Sequence, residues 1–239
     1  MTDSKAKMGE PRPEWLPRGT RGARAAFRRV VPVVRNAVRG EEVPSVTGIA
    51  RRSRSPFKIL VSTVISARTK DEVTGEAARR LFATASTPRA IAALSEKKIS
   101  ALIYPAGFYR TKGKAIRALS AIIVRSYGGR VPDTMEGLLS LPGVGRKTAN
   151  LVLTLGFALP GICVDTHVHR VVNRLGIIRT KRPVETEACL RATLPRRHWT
   201  EINDLLVTFG KTVCAPISPR CSLCPIARPC ARAGVMRSR

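Results

Sequence analysis

Acidic side chains are scarce in this chain. Its 239 residues carry 16 Asp and Glu against 43 Lys and Arg, a formal net charge of +27. Long apolar runs are missing too. The longest stretch free of charge lies between Lys147 and Asp165, and Gly156, Pro160 and Gly161 interrupt it. A spanning helix needs about 20 mostly apolar residues, so no membrane partner is expected. The first residues, MTDSKAKMGEPRPEW, lack the apolar core of a secretory signal. The expectation is therefore a reducing compartment: the cytoplasm, or the nucleoid in a prokaryote, where six cysteines form no routine disulfides. No stretch alternates apolar and polar residues over several strand lengths, and no fixed repeat suggests a solenoid.

What is present is a folded composition, 44% hydrophobic and 25% charged. Combined with the charge imbalance, it points to a globular protein with a polyanionic partner. Residues 1–25, rich in Pro, Gly and Arg, read as a basic flexible extension. A helix is expected over 25–38, ended by Gly40. Ser55-Pro56-Phe57 then reads as a cap, a first-turn proline and a helix start. Asp71 is expected to cap a helix through Leu81. Further helical units follow over 88–94, 99–106, 112–127, 134–141, 146–158, 166–175, 185–193 and 199–210. The expected fold class is all-α.

Leu-Pro-Gly-Val-Gly-Arg-Lys, residues 141–147, sits between two helical patterns. Pro142 stops the first, and Gly143 and Gly145 allow a tight turn. The N–H groups opening the second helix can then meet a phosphate, with Val144 and Arg146 beside them. The bland alternative is a simple helix–helix turn, and the net charge weighs against it. Lys147 falls in the first turn of that second helix, next to Arg146. The positive helix end and the neighbouring cation disfavour an ammonium there, which makes Lys147 a candidate amine nucleophile.

Between Glu136 and Glu185 the only acid is Asp165. It precedes an apolar helical pattern and can cap that helix. A carboxylate fixed among cations can also stabilise developing positive charge or orient a nucleophile. His167 and His169, two apart, point to different sides of a helix, which rejects a paired metal site between them.

Cys214, Cys221, Cys224 and Cys230 are spaced C-x6-C-x2-C-x5-C. Four neighbouring thiolates call for a cation or a cluster. Zinc and a 4Fe–4S cluster both fit the ligand count. A zinc ribbon pairs two C-x2-C knuckles where this chain has one, so the spacing leans modestly to iron–sulfur. Cys163 and Cys189 are expected to be ordinary buried thiols.

Three segments taken together resemble the endonuclease III family of helix-hairpin-helix DNA glycosylases. They are residues 141–150 (LPGVGRKTAN), residues 164–170 (VDTHVHR) and the cysteine spacing. The resemblance runs from about Ser55 to Cys230. It implies a two-lobed fold, with a six-helix domain over 52–159 and an iron–sulfur cluster domain joining 26–51 to 160–239. It implies a bifunctional DNA glycosylase and abasic-site lyase that removes oxidised pyrimidines such as thymine glycol. Lys147 matches the lysine that attacks the sugar C1′, Asp165 the assisting aspartate, and the four cysteines the ligands of a 4Fe–4S cluster. The implied partner is double-stranded DNA bearing a damaged base or an abasic site, bound by a monomer. The implied DNA contacts are Gly143, Val144, Gly145, Arg146, Arg68, Phe108 and His167. Two positions depart from the family pattern. Arg68 stands where many relatives carry glutamine, and Phe108 where leucine is common. Two rival classes remain at this point: a non-catalytic DNA-binding module and a zinc-stabilised RNA-binding protein.

Overall fold

The computed structural model describes residues 20–239 of the chain. Among these the backbone forms helices and helical turns with no strand. The first half holds α1 (Thr20–Ala37), α2 (Ser45–Ser53), α3 (Pro56–Ser66), α4 (Asp71–Thr84), α5 (Pro88–Ala93) and α6 (Glu96–Ile103). The second half holds α7 (Tyr109–Tyr127), α8 (Met135–Leu139), α9 (Arg146–Leu151), α10 (Thr166–Arg174), α11 (Pro183–Thr193) and α12 (Ile202–Thr212).

Local chemistry accounts for many of the starts. Ser55, Thr87, Ser95 and Thr134 each accept an N–H from the residue three further on, opening α3, α5, α6 and α8. Proline follows two of these caps, at Pro56 and Pro88, where its missing N–H costs nothing. Several boundaries differ from the sequence expectation. α1 begins at Thr20, so residues 20–25 are helical rather than part of a flexible extension; the rest of that extension lies outside the described residues. α6 begins at Glu96, three residues early, because Ser95 caps it. Asp71 does not cap its own helix. Its carboxylate accepts the backbone N–H of Ser45 at 3.1 Å through both oxygens, tying the start of α2 to α4. α2 itself was not expected, since Val46, Thr47, Gly48 and Ile49 are weak helix formers. Burial of Val46, Ile49 and Ala50 supplies what propensity does not. The helix expected over 146–158 keeps its α form only to Leu151 and then widens into a π-helical turn, Val152–Gly156.

Two apolar cores organise these helices. The first gathers α2 to α9, with Leu60, Ile65, Leu81, Ile91, Ile116 and Leu119 fully buried. The second joins α1 to the later helices through Phe27, Val31, Val34, Val168, Leu206 and Phe209. Val46, Ile49 and Ala50, on the far side of the boundary expected at residue 52, pack in the first core. Polar contacts bridge the two lobes. Thr47 Oγ1 donates to Asp204 Oδ1 at 2.8 Å, and Lys211 Nζ pairs with Asp71 Oδ2 at 3.2 Å. A bidentate pair joins Arg146 to the buried Glu187. No described helix is long and apolar enough to cross a membrane.

Candidate active site

A solvent-open cleft of about 530 Å³ lies where the two cores meet. Its walls come from the start of α2, the α3–α4 loop, and helices α9, α10 and α12. Lys147 and Asp165 face each other across it, one from each lobe.

Lys147 is the second residue of α9. The preceding turn needs glycine at one position. Gly143 has φ +77°, and a Cβ there would also meet the Ala115 Cβ at 3.0 Å. Gly145, the residue before α9, has φ −103° and open space around it, so neither conformation nor packing demands glycine. What its bareness provides is access to the unpaired N–H groups at the helix start. Arg146 does not crowd Lys147: its guanidinium turns away to Glu187 at 3.1 and 3.3 Å.

Asp165 caps α10 as expected. Its Oδ1 accepts from the N–H groups of His167 and Val168, both at 2.9 Å. Its Oδ2 lies 3.6 Å from Lys147 Nζ. The two oxygens therefore have separate tasks, one fixing the carboxylate to the helix start and one facing the amine. Asp165 has a side-chain exposure of 11% and Lys147 of 45%, so the carboxylate is held deep and the amine reaches into the open cleft.

His167 also lines the cleft. Its Nδ1 accepts from Arg170 at 3.1 Å, which places the ring proton on Nε2. Burial pushes its pKa down; the Asp165 carboxylate opposes this and the Arg170 charge adds to it, leaving the net direction toward the neutral ring. His169 faces another helix, sharing a 2.6 Å hydrogen bond with Thr186 of α11.

Arg68 lines the opposite rim, and Phe108 stands beside it. The guanidinium carbon of Arg68 sits 5.6 Å from the Phe108 ring centroid, a cation–π stack. Both residues have left-handed backbones, with φ 51° and 58°, although neither is glycine. Such conformations cost roughly 1–3 kcal/mol each and persist only where the surroundings impose them. Phe108 is 61% exposed, so its ring is presented to solvent rather than to the core.

The four C-terminal cysteines gather at a separate place. Together they line a small cavity of about 20 Å³, walled by Val171, Leu175, Phe209, Val213, Ile226 and Val235. None of the four is in a disulfide, and neither is the buried Cys163 or Cys189. Arg174 Nη1 donates to Cys214 Sγ at 3.6 Å, and the Arg232 backbone N–H to Cys230 Sγ at 3.4 Å. Burial, then the charge of the sister cysteines, pushes the Cys224 and Cys230 thiols up. Such a set is poorly served as bare thiolates and well suited to soft metal ligation, with N–H donors already aimed at sulfur. Among the described residues no group of three or more His, Cys, Asp or Glu is arranged to hold a metal ion as it stands.

Sequence reasoning missed Lys112. It lies on the same helical stripe as Ile116, Leu119 and Ile123, and a charge at a core position was the available signal. Glu187, buried beneath Arg146 and Arg191, was also overlooked.

Residues 61–196 match the family model described as HhH-GPD superfamily base excision DNA repair protein. The chain belongs to that superfamily of DNA glycosylases. Within it, the particular likeness is to endonuclease III. Endonuclease III of Thermotoga maritima is 47% identical over 179 residues, covering 75% of this chain and 84% of the relative. The Bacillus subtilis endonuclease III is 40% identical over 177 residues, covering 74% and 81%. The endonuclease III-like protein 1 of Bos taurus, 44% identical over 194 residues, is longer, and the match spans 62% of it. Among solved structures, a trapped endonuclease III–DNA covalent intermediate in its estranged-adenine complex superposes with a TM-score of 0.79. It is 32% identical in sequence, with 87% of this chain and 96% of the other covered.

Proposed function

We propose that this protein is a bifunctional base excision repair enzyme that removes oxidised pyrimidines, such as thymine glycol, and cleaves the strand at the resulting abasic site. The observation that carries this reading is the Lys147–Asp165 pair, 3.6 Å apart at two helix starts in the inter-lobe cleft. Its substrate is double-stranded DNA with the damaged nucleotide turned out into the cleft, bound by a single copy of the chain. The setting is the cytoplasm, on the nucleoid if the source is a prokaryote.

As the N-glycosidic bond breaks, the base leaves with the electron pair and positive charge grows on the sugar. The Asp165 carboxylate, held in place by two backbone N–H groups, stabilises that charge. Asp165 Oδ2 is also the nearest acceptor for a proton from Lys147. The freed amine forms a bond to C1′, and loss of water or of the ring oxygen's bond to C1′ gives an imine. The imine acidifies C2′. Removal of a C2′ proton then expels the 3′ phosphate oxygen, breaking the strand on that side. Glycosylases that use water in place of an amine have no need of a lysine here, so Lys147 is what argues for lyase activity.

Around this pair, the N–H groups beside Gly143, Val144 and Gly145 suit a DNA phosphate. Arg68 and Phe108 suit the space a displaced nucleotide leaves in the duplex, one by hydrogen bonding and one by stacking. His167, neutral and half-buried, suits a contact with the turned-out nucleotide. Arg146 has half its surface free and can still reach a phosphate while paired to Glu187. The cysteines Cys214, Cys221, Cys224 and Cys230 would hold a 4Fe–4S cluster. Its contribution when bound is to cross-link loops that have little apolar content of their own. In this reading the cluster domain joins α1 to residues 160–239, and residues 45–159 form the other lobe.

Borohydride trapping on a duplex with one abasic site tests the reading directly. A covalent protein–DNA adduct that disappears in Lys147→Gln is expected. Absence of any adduct with the wild-type protein would remove imine chemistry and leave a water-using glycosylase or a DNA-binding module.

A further inference from the structure

One buried titratable group has no part in the chemistry above. Lys112, in the first turn of α7, is 7% exposed. Its ammonium donates to Ile65 O at 2.6 Å, Ala67 O at 2.5 Å and Thr69 Oγ1 at 2.8 Å. An ammonium has three N–H donors, and here each has an acceptor. Thr69 is equally saturated: its hydroxyl also accepts from Gly107 N at 3.1 Å and lies 3.3 Å from Ala67 O, to which it donates. Its three hydrogen bonds are all to neutral oxygens, and burial pushes the lysine down to about 8.

A charge so placed is not what packing asks for. The stripe it shares with Ile116, Leu119 and Ile123 is otherwise apolar, and a methionine would fill the stem without desolvating a cation. What the lysine does instead is join two loops. Two of its acceptors, Ala67 O and Thr69 Oγ1, flank Arg68, and the Thr69 hydroxyl also holds the turn that ends in Phe108. The approach is so close that a Cβ on Gly107 would collide with Arg68 O. The two left-handed residues, Arg68 and Phe108, are the ones this network pins, and they are stacked on each other.

We propose that Lys112 is a positioning residue for duplex opening: it locks the Arg68 loop to the Phe108 turn, so that both side chains enter the DNA as one preformed stacked unit. The proposal rests on the DNA-contact roles given above to Arg68 and Phe108. Lys112 touches neither the sugar nor Lys147 and acts only through those two residues.

The test compares a task that needs the stacked unit with one that does not. Lys112→Met keeps the aliphatic stem and removes all three donors. On a thymine glycol duplex, its single-turnover base release should fall roughly 10- to 100-fold, the scale of a small misplacement of a positioned group. Borohydride trapping on a single-stranded oligonucleotide with an abasic site, where no partner base is displaced, should stay at the wild-type rate. In a mutant cycle, adding Lys112→Met to the Arg68→Ala/Phe108→Ala protein should make duplex base release no slower than in that protein alone. Equal losses on both substrates, or additive losses in the cycle, overturn the proposal while leaving the glycosylase reading intact. Full duplex activity of Arg68→Ala overturns the Arg68 contact and the proposal with it. Thr69→Val removes only the shared hydroxyl and serves if Lys112→Met does not fold. A several-fold loss confined to the duplex supports the proposal, and an unchanged duplex rate overturns it.

Discussion

The two lobes both line the cleft, the first more extensively, and are built by different means. The first closes over its own apolar side chains: Ile59, Leu60, Ile65, Leu81, Ile91 and Ile116 are fully buried, each contributing roughly 1.5–3 kcal/mol. The second has a comparable core around Phe27, Val34, Val172 and Phe209, but its last 26 residues form no long helix. That tail, from Cys214 onward, carries arginines at 220, 228, 232, 237 and 239 and no acid. Its Ile217, Leu223 and Met236 are exposed, and Ile226 is its only fully buried large apolar residue. Burial holds one lobe. Burial, arginine side chains such as Arg174 and the four-thiol set share the work in the other.

The cleft inherits that contrast. Lys147 comes from the self-sufficient lobe and Asp165 from the other, so single substitutions separate their contributions. The largest effect expected is that of Lys147→Gln, which should lose imine trapping and strand cleavage by about a thousandfold or more. Its DNA affinity should change little, because phosphate contacts are spread over many groups. Gel-resolved cleavage and titration of a lesion duplex check both halves. Undiminished cleavage removes Lys147 from the mechanism. Asp165→Asn should cost about 100- to 1000-fold in base release. Asparagine caps a helix as well as aspartate, so the melting temperature should barely move. A sharp drop in stability with turnover unchanged would make Asp165 a structural cap only.

The helix-start positions of these two residues were legible in the sequence because the signals for them are local. A glycine turn opening a helix and a lone acid before another are patterns of a few consecutive residues. The four cysteines were legible for the same reason. α2 was not, since weak helix formers at 45–50 become helical only through burial against helices that follow them. The role of Lys112 was not legible either: its acceptors lie 43 to 47 residues away, on a loop whose position depends on the whole first lobe. Likewise, nothing local shows that Arg146 turns to Glu187, 41 residues on. Asp71 was misread because a carboxylate at a helix start looks like that helix's own cap, whereas here it serves the start of α2.

Breaking each lobe by its own device sharpens the comparison. Cys221→Ser should lose iron and sulfide and lower DNA affinity. The dependence of affinity on salt should become shallower as phosphate contacts from the basic tail are lost. One zinc and no sulfide in the wild-type protein would sink the cluster assignment and leave the lysine chemistry standing. In the first lobe, Leu60→Ala should cost about 2–5 kcal/mol through the cavity it leaves, read by chemical denaturation. Salt dependence of binding should be unaltered in the molecules that remain folded. A change in that dependence would show that the first lobe's core sets the geometry of the tail.

The smallest effect concerns the seam between the lobes. Asp204, on α12, is largely buried where it accepts from Thr47 of α2. Burial raises its pKa, against the lowering effects of the Thr47 hydrogen bond and of Arg51. A carboxyl with a raised folded pKa binds its proton more tightly in the folded state than in the unfolded one. Its contribution to stability is therefore full below the unfolded value near 4 and is lost as pH rises through the folded pKa. Asp204→Asn keeps an acceptor for Thr47 and carries no charge. It should melt higher than the wild type at pH 7, with the advantage shrinking as pH falls toward about 4. Thermal melts of both proteins across that range provide the measurement. An asparagine variant that melts lower at pH 7 would mean that the Asp204 charge holds the seam together, with Arg51 as the partner that matters.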